Sequence, residues 1–446
     1  MPDQANENRN KLIFLLTSSF LLYIINAYLI QRTSHFALFS SFTSLFLLYL
    51  FTIKIVNSDK LIRFAIIGSI VIRLCLIFSI PNLSDDFYRF IWDGRLINSG
   101  ENPFSHTPSY YIGNPEENPI GYDLELYKEV NSQNYFTIYP PVLQFIFWIS
   151  TYFSASIFTS VVIMRLFIIV SEVGTLLMMQ SILKKNQLPL KNILYYALNP
   201  LVILELTVNL HFEAVMIFSL LASIWYLGQN KMARSSLTFG LAISSKLIPL
   251  IFIPLLIKRI GFQKSIWFAL IATFFCLILF SPLISIDLIN GMRSSISLYF
   301  QKFEFNASLY YILREIGYWV KGYNIIQTLG PYLAMGAFLS IIFYSIKEYR
   351  SKVNIATAMM FSYCIYILWA TTVHPWYITP VVALSVFGTF RFSVVWSFLV
   401  FLTYAGYGQN GYNENLWIVA IEYSFALGFL FWEILKIRKM QIPLKA

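Results

Sequence analysis

Charge is what this chain has least of. Only 12% of its 446 residues are Asp, Glu, Lys or Arg, against about a quarter in soluble globular proteins, while 57% are hydrophobic. That deficit excludes an ordinary water-facing surface, and with it disorder and collagen-like repeats. Cysteine is scarce too. Cys75, Cys276 and Cys364 lie far apart inside apolar runs, which excludes a disulfide framework and a thiolate metal centre. No fixed-period repeat occurs, and no polar linker is long enough to delimit a second soluble domain. A single domain over 1–446 is expected.

Fourteen apolar runs fill the chain, from 12–30 to 416–435. Lipid offers an open backbone no hydrogen-bond partner, so these runs are predicted to be helices. Their continuous hydrophobicity excludes the alternating pattern of a membrane barrel. The expected fold is all-α and polytopic, a bundle of roughly 11–14 transmembrane helices in an integral membrane protein. The first run is followed by no small-residue cleavage site, so it reads as a retained helix and not as a signal peptide.

The formal net charge is +10, but the cations fall between apolar runs, which indicates a positive-inside bias and not nucleic-acid binding. Placing Lys54, Lys60 and Arg63, then Lys347, Arg350 and Lys352, then Lys436, Arg438 and Lys439 in the cytoplasm puts residues 81–137 outside after three crossings. The His374 connection and a second outer loop, 287–324, fall on the same side. Lys184, Lys185 and Lys191 are inside only if 138–183 makes one net crossing, with 138–155 re-entrant or interfacial. Lys231 and Arg234 share a side with Lys258, Arg259 and Lys264 only if 234–257 goes out and back around a hinge near Lys246. Counting every run as a full crossing instead puts Lys184 and Lys231 outside. Residues 81–137 hold nine acids and three bases, a net of −6, which leaves +16 for the rest. Function is sought in that acidic outer segment.

Its strongest constellation is Ser84-Asp85-Asp86-Phe87-Tyr88-Arg89-Phe90-Ile91-Trp92-Asp93-Gly94-Arg95. Adjacent carboxylates repel, which raises one pKa and suits a general base or a cation-coordinating pair. With Ser84 as N-cap, the acids sit at the favourable end of a helix dipole. Asp86, Arg89 and Asp93 then share a face. A capped surface helix with ion pairs accounts for the same pattern. Further on stand Asn102-Pro103, Tyr139-Pro140-Pro141, Asn209-Leu210-His211-Phe212-Glu213, Gly240…Lys246 and His374-Pro375-Trp376-Tyr377. Ionisable residues inside apolar runs are costly and point to function. Arg73 and Lys246 are placed to neutralise a lipid phosphate. Arg165 and Glu172, seven apart on one helix face, are placed to pair with each other.

Together these motifs resemble the GT-C superfamily of polytopic glycosyltransferases, and in particular bacterial mannosyltransferases that use polyprenyl-phosphate-linked mannose. The similarity covers about 70–260, with His374-Pro375-Trp376-Tyr377 as a later anchor. It implies a helical bundle with juxtamembrane helices in the first outer loop and an inverting transfer of a hexose, by this resemblance mannose, at the extracytoplasmic face of a bacterial plasma membrane. The donor is a polyprenyl-phosphate-linked sugar, and the acceptor is a lipid or glycan hydroxyl. Asp85 or Asp86 is then the base, and the sequence does not settle which. Arg89, Asp93, Tyr139, His211 and Glu213 line the site, Lys246 or Arg73 faces the phosphate, and His374, Trp376 and Tyr377 contact sugar or lipid. No cofactor is required, although paired acids permit a divalent cation.

Two other classes compete. A transporter or lipid-linked sugar flippase also uses intramembrane charge, but it rarely needs a large acidic outer loop, and it more often shows halves related by internal symmetry. A related scaffold without catalysis would act as an assembly partner.

Overall fold

Uninterrupted runs of Leu, Ile and Phe wind into helices because a helix satisfies every backbone group within itself. In the computed structural model the chain is accordingly an all-α polytopic membrane protein. The structure describes residues 2–121, 123–348, 354–409 and 411–441. Helices α1 (Pro2–Tyr28), α2 (His35–Ile55) and α3 (Asp59–Cys75) come first. Ser58 caps α3, its hydroxyl accepting the Leu61 N–H at 3.4 Å. Arg32, in the turn between α1 and α2, donates to the Leu83 carbonyl just beyond α3. The segment after α3 therefore lies at the same end of the bundle as the α1–α2 turn.

Shorter helices follow, the longest of them α4 (Asp86–Asn98) and α5 (Pro141–Tyr152). The 12 residues of α5 reach about 18 Å, against a hydrocarbon core of about 30 Å. This helix packs against α4 and is too short to cross. Gly94 makes the approach possible, since a Cβ there would lie 2.3 Å from the Phe147 carbonyl oxygen. Helix α6 (Ile157–Lys185) is long and apolar enough to cross.

The apolar runs at 191–208 and 211–228 do not form two straight spans. A short helical turn that widens into a π-helix, Pro200–Val208, meets α7 (Glu213–Leu227) at 113°. Such a break frees carbonyls that lipid cannot satisfy. Arg165 satisfies them, donating to Thr207 O at 2.7 Å and Val208 O at 3.0 Å, and also to Ile77 O at 2.7 Å. The expected Arg165–Glu172 pair is thus not made.

Next, α8 (Met232–Ser245) stops at Lys246, whose backbone is extended, and a 3-10 turn leads into α9 (Ile253–Ile260). The chain breaks at the hinge expected from charge. The remaining helices are α10 (Phe262–Phe280), α11 (Ile286–Gln301), α12 (Leu309–Lys321), α13 (Ile326–Glu348), α14 (Ile355–Trp369), α15 (Thr379–Ser385), α16 (Phe392–Leu399) and α17 (Leu416–Gln441). Among the described residues six helices are long and apolar enough to cross a bilayer, or seven counting the bent pair. Apolar runs outnumber continuous crossings because several are broken or short.

Contacts sort the connections to two ends. At one, Lys185 donates to Gly228 O, Asn192 to Val386 O, Arg391 to Asn192 Oδ1, and Asn354 to Phe387 O, while Arg259 pairs with Glu348. The basic connections around 184–192, 228–234, 258–264 and 387–391 therefore gather together, the grouping that the charge-consistent count requires. Arg350 and Lys352 lie outside the described residues. At the other end the acidic segment meets the stretch around 283–295: Asn102 donates to Leu283 O and Ser295 to Phe136 O. Phe305 bridges to the His374 connection through Thr371 O and the Val373 N–H.

Candidate active site

Helix α4 begins one residue later than the sequence suggested. Asp85 is its N-cap residue, and the Ser84 hydroxyl accepts the Asp86 N–H at 3.4 Å. The two acids then part company. Asp85 pairs with Arg32 at 2.9 Å. Asp86 accepts one hydrogen bond from Asn131, at 2.7 Å, and is half-buried. Burial pushes the Asp86 carboxyl up from its ordinary value. The Asn131 hydrogen bond and Lys246 oppose that rise, and Asp85 and Glu213 reinforce it.

Lys246 and Glu213 come from the two interrupted spans. Glu213 opens α7 directly after the 113° break, Lys246 closes α8, and the two are paired. Lys246 also lies over the Tyr377 ring, 4.9 Å from its centroid. Asn209, inside the break, accepts the Leu83 N–H at 3.2 Å and so ties the break to the loop that carries Asp85 and Asp86. Each of these groups stands where a helix stops, because helix ends turn polar side chains and unpaired backbone groups toward a common space.

The third wall is aromatic. Trp376 stacks on His211 with ring centres 3.6 Å apart and on His374 at 4.4 Å, and both ring pairs are nearly parallel. Two imidazoles cannot lie side by side on one indole face at those distances, so they take opposite faces. Both faces of Trp376 are therefore covered, and only its edge is left for a ligand. Burial, reinforced by Lys246, lowers the His374 imidazole to about 3, which keeps it neutral. Behind His211 stands Glu205, with Oε2 3.4 Å from Nε2, and the other Glu205 oxygen accepts from Tyr404 at 2.8 Å. Tyr139 packs edge-on against Phe90, 4.9 Å away.

Three residues expected at the site are committed elsewhere. Arg73 is fully buried and chelates Glu172 through Nε and Nη2, at 3.1 and 2.9 Å, while its Nη1 donates to Ser69 O and Ala197 O. Its guanidinium is enclosed on every side and so is out of reach of a phosphate, whereas Lys246, though also paired, keeps 24% of its side chain exposed. Arg89 and Asp93 do pair along α4, at 2.7 Å, but both are buried and face inward. Arg89 holds Ser132 and Tyr135, and Asp93 accepts from Thr137 and Gln144. They fasten the loop that presents Asn131 to Asp86, and so they shape the site without opening onto it. The sequence reading missed Arg32 and Asn131, polar residues beside turns with no motif of their own, and gave Asn209 no role although it opens the element that carries His211 and Glu213.

Among the described residues no group of three or more His, Cys, Asp or Glu side chains is arranged to hold a metal ion. The model of a family described as alpha-(1->6)-mannopyranosyltransferase, N-terminal domain, matches residues 17–260, more than half of the chain. The matched stretch includes Asp85, Asp86, His211, Glu213 and Lys246 and stops short of His374. No curated protein matches.

Proposed function

The chain belongs to this mannosyltransferase family, and from that premise we propose that it transfers a mannosyl residue from a polyprenyl-phosphate donor to an acceptor hydroxyl at the extracytoplasmic face, with Asp86 as the base. The family's description adds the product, an α-(1→6) link to a primary hydroxyl. The supporting observation is the unequal treatment of the paired acids. Arg32 neutralises Asp85, whereas burial raises the proton affinity of Asp86 beside Lys246 and Glu213. A carboxylate with raised proton affinity is the better base.

Asp86 takes the proton of the acceptor hydroxyl as its oxygen attacks the anomeric carbon. The bond from that carbon to the phosphate oxygen breaks on the opposite side, so configuration inverts, and polyprenyl phosphate leaves with the electron pair. Lys246 stabilises the charge that develops on the phosphate. It is already shared between Glu213 and the Tyr377 ring, so its ammonium is fixed before the donor arrives. One positioned base contributes about 10²–10⁴-fold; orientation by the surrounding walls supplies a further share. The gathering of cations at the far end supports an extracytoplasmic site through the positive-inside rule.

The test is transfer of labelled mannose from synthetic polyprenyl-phosphate-mannose by the purified protein in proteoliposomes. Asp86→Asn is expected to lower the rate at least about 10²-fold, and Asp85→Asn much less. Full activity in Asp86→Asn overturns the base assignment. Movement of the donor across the bilayer without transfer would favour a flippase.

A further inference from the structure

Helix α12 has an apolar face that none of the described residues covers. Ile312, Ile316, Trp319, Val320 and, just past its end, Tyr323 are 63, 46, 84, 71 and 62% exposed. Their spacing of four, three, one and three residues lays them along one side of a helix. The other side is buried through Tyr310, Tyr311 and Gly317, with Arg314 paired to Glu304 and Glu315.

The direction of the helix follows from its neighbours. Its start is held at the site end, where Ser308 donates to Leu368 O and Phe305 bridges to Thr372. Its end passes through Gly322, at φ +79, and within four residues enters α13, whose far terminus pairs Glu348 with Arg259 at the basic end. Both ends of α12 therefore lie at the site end. A 13-residue helix about 20 Å long runs across the bundle and not along it. The preceding helix, α11, exposes Ile286 and Ile289 near its start but then Asn290, Arg293, Ser294 and Ser297, so its later exposed side is polar.

We propose that α12 is an interfacial helix, with the Ile312–Tyr323 stripe immersed in the bilayer at the site end. Lipid is the fitting occupant because the stripe continues into the exposed apolar face of α13, a candidate membrane span, at Tyr332, Met335, Phe338 and Leu339. The stripe also carries Trp319 and Tyr323, the residue types that settle at a membrane–water boundary. Phe305, just ahead of α12, contacts the His374 ring at 4.6 Å. Lipid contact along α12 therefore sets the His374 wall at the depth of the lipid headgroups. The proposal stands whether or not the chain transfers mannose.

The experiment places a nitroxide on a single cysteine at position 316, 320 or, as a control on α11, 294. The full chain, with its three native cysteines replaced, is reconstituted in phosphatidylcholine–phosphatidylglycerol vesicles. Collision with oxygen is expected to exceed collision with a water-soluble nickel chelate several-fold at 316 and 320, and the order should reverse at 294. Equal chelate access at all three positions overturns the proposal. So does spin–spin broadening at 316 or 320 that disappears on dilution with unlabelled protein, since a second copy would then cover the stripe. Should the cysteine-free chain not fold, quenching of tryptophan emission by brominated lipid puts the same question to the native chain. The quenchable share should fall in Trp319→Phe, and an unchanged share overturns the assignment.

Discussion

Arg32 Nη1 lies 2.9 Å from Asp85 Oδ2, across 53 residues of chain, and the same nitrogen donates to Leu83 O. One guanidinium thus fixes the start of α4 against the α1–α2 turn and neutralises one of two adjacent acids. Its carbon also stands 4.5 Å over the Tyr407 ring. The pair is partly exposed, so it contributes no more than about 1 kcal/mol to stability. Arg32→Ala is expected to leave the melting temperature nearly unchanged while lowering kcat about tenfold, the equivalent of about 1.4 kcal/mol. Because the two residues act as a unit, the double variant with Asp85→Asn should lose little more than either single variant. Steady-state kinetics of the four forms would show this, and fully additive losses would contradict it.

The buried Arg73–Glu172 pair calls for the opposite experiment. Both side chains are fully buried, and Tyr196 adds a hydrogen bond to Glu172. Removing one partner strands the other, at a cost of about 3–5 kcal/mol. Arg73→Met should therefore lower thermal stability in detergent sharply, and Arg73→Met combined with Glu172→Leu should recover much of the loss. The donor KM of whatever folded enzyme remains should stay near the wild-type value. A stable Arg73→Met enzyme with a raised donor KM would return Arg73 to the phosphate.

These two arginines mark where sequence reading stops. The motifs at Asp85-Asp86, Glu213, Lys246 and His374 were legible because each sits where an apolar run is interrupted, and such an interruption is a local signal. The hinge at Lys246 followed from charge counting alone. Which of the two acids is held in an ion pair was not legible, since it depends on Arg32, and the link between them is made only when three helices assemble. Arg165 and Glu172 share a helix face at a spacing that suggests a pair, yet each found a partner on another helix. The covered faces of Trp376 likewise need His211 and His374, which are brought together by two separate breaks. Local pattern reports where helices end; the partners of charged groups are set by how the ends meet.

Gly94 offers a direct test of the α4–α5 contact. The neighbouring atom is backbone, the Phe147 carbonyl oxygen, which cannot swing aside as a side chain would. Gly94→Ala should destabilise by about 1–3 kcal/mol through overpacking and push α4 away from α5, displacing Asp86. Gly113→Ala is a fair control, because nothing lies within 4 Å of its added carbon. Melting curves of both variants decide, and equal stability would mean that the close approach is not maintained.

The pH dependence of transfer should carry the signature of Asp86. A base works unprotonated, so the rate falls as pH drops through its pKa. Burial raises that pKa above the ordinary value of 3.8, which places the acid limb above the usual aspartate range. Lys246 lowers the pKa and Glu213 raises it. Lys246→Met should therefore move the acid limb to higher pH, and Glu213→Gln, which also releases Lys246, should move it to lower pH. Profiles of kcat/KM report the groups of the free enzyme, so each shift should appear there whatever happens to the maximal rate. Limbs that move in the same direction, or not at all, would place the titrating base elsewhere than beside the Lys246–Glu213 pair.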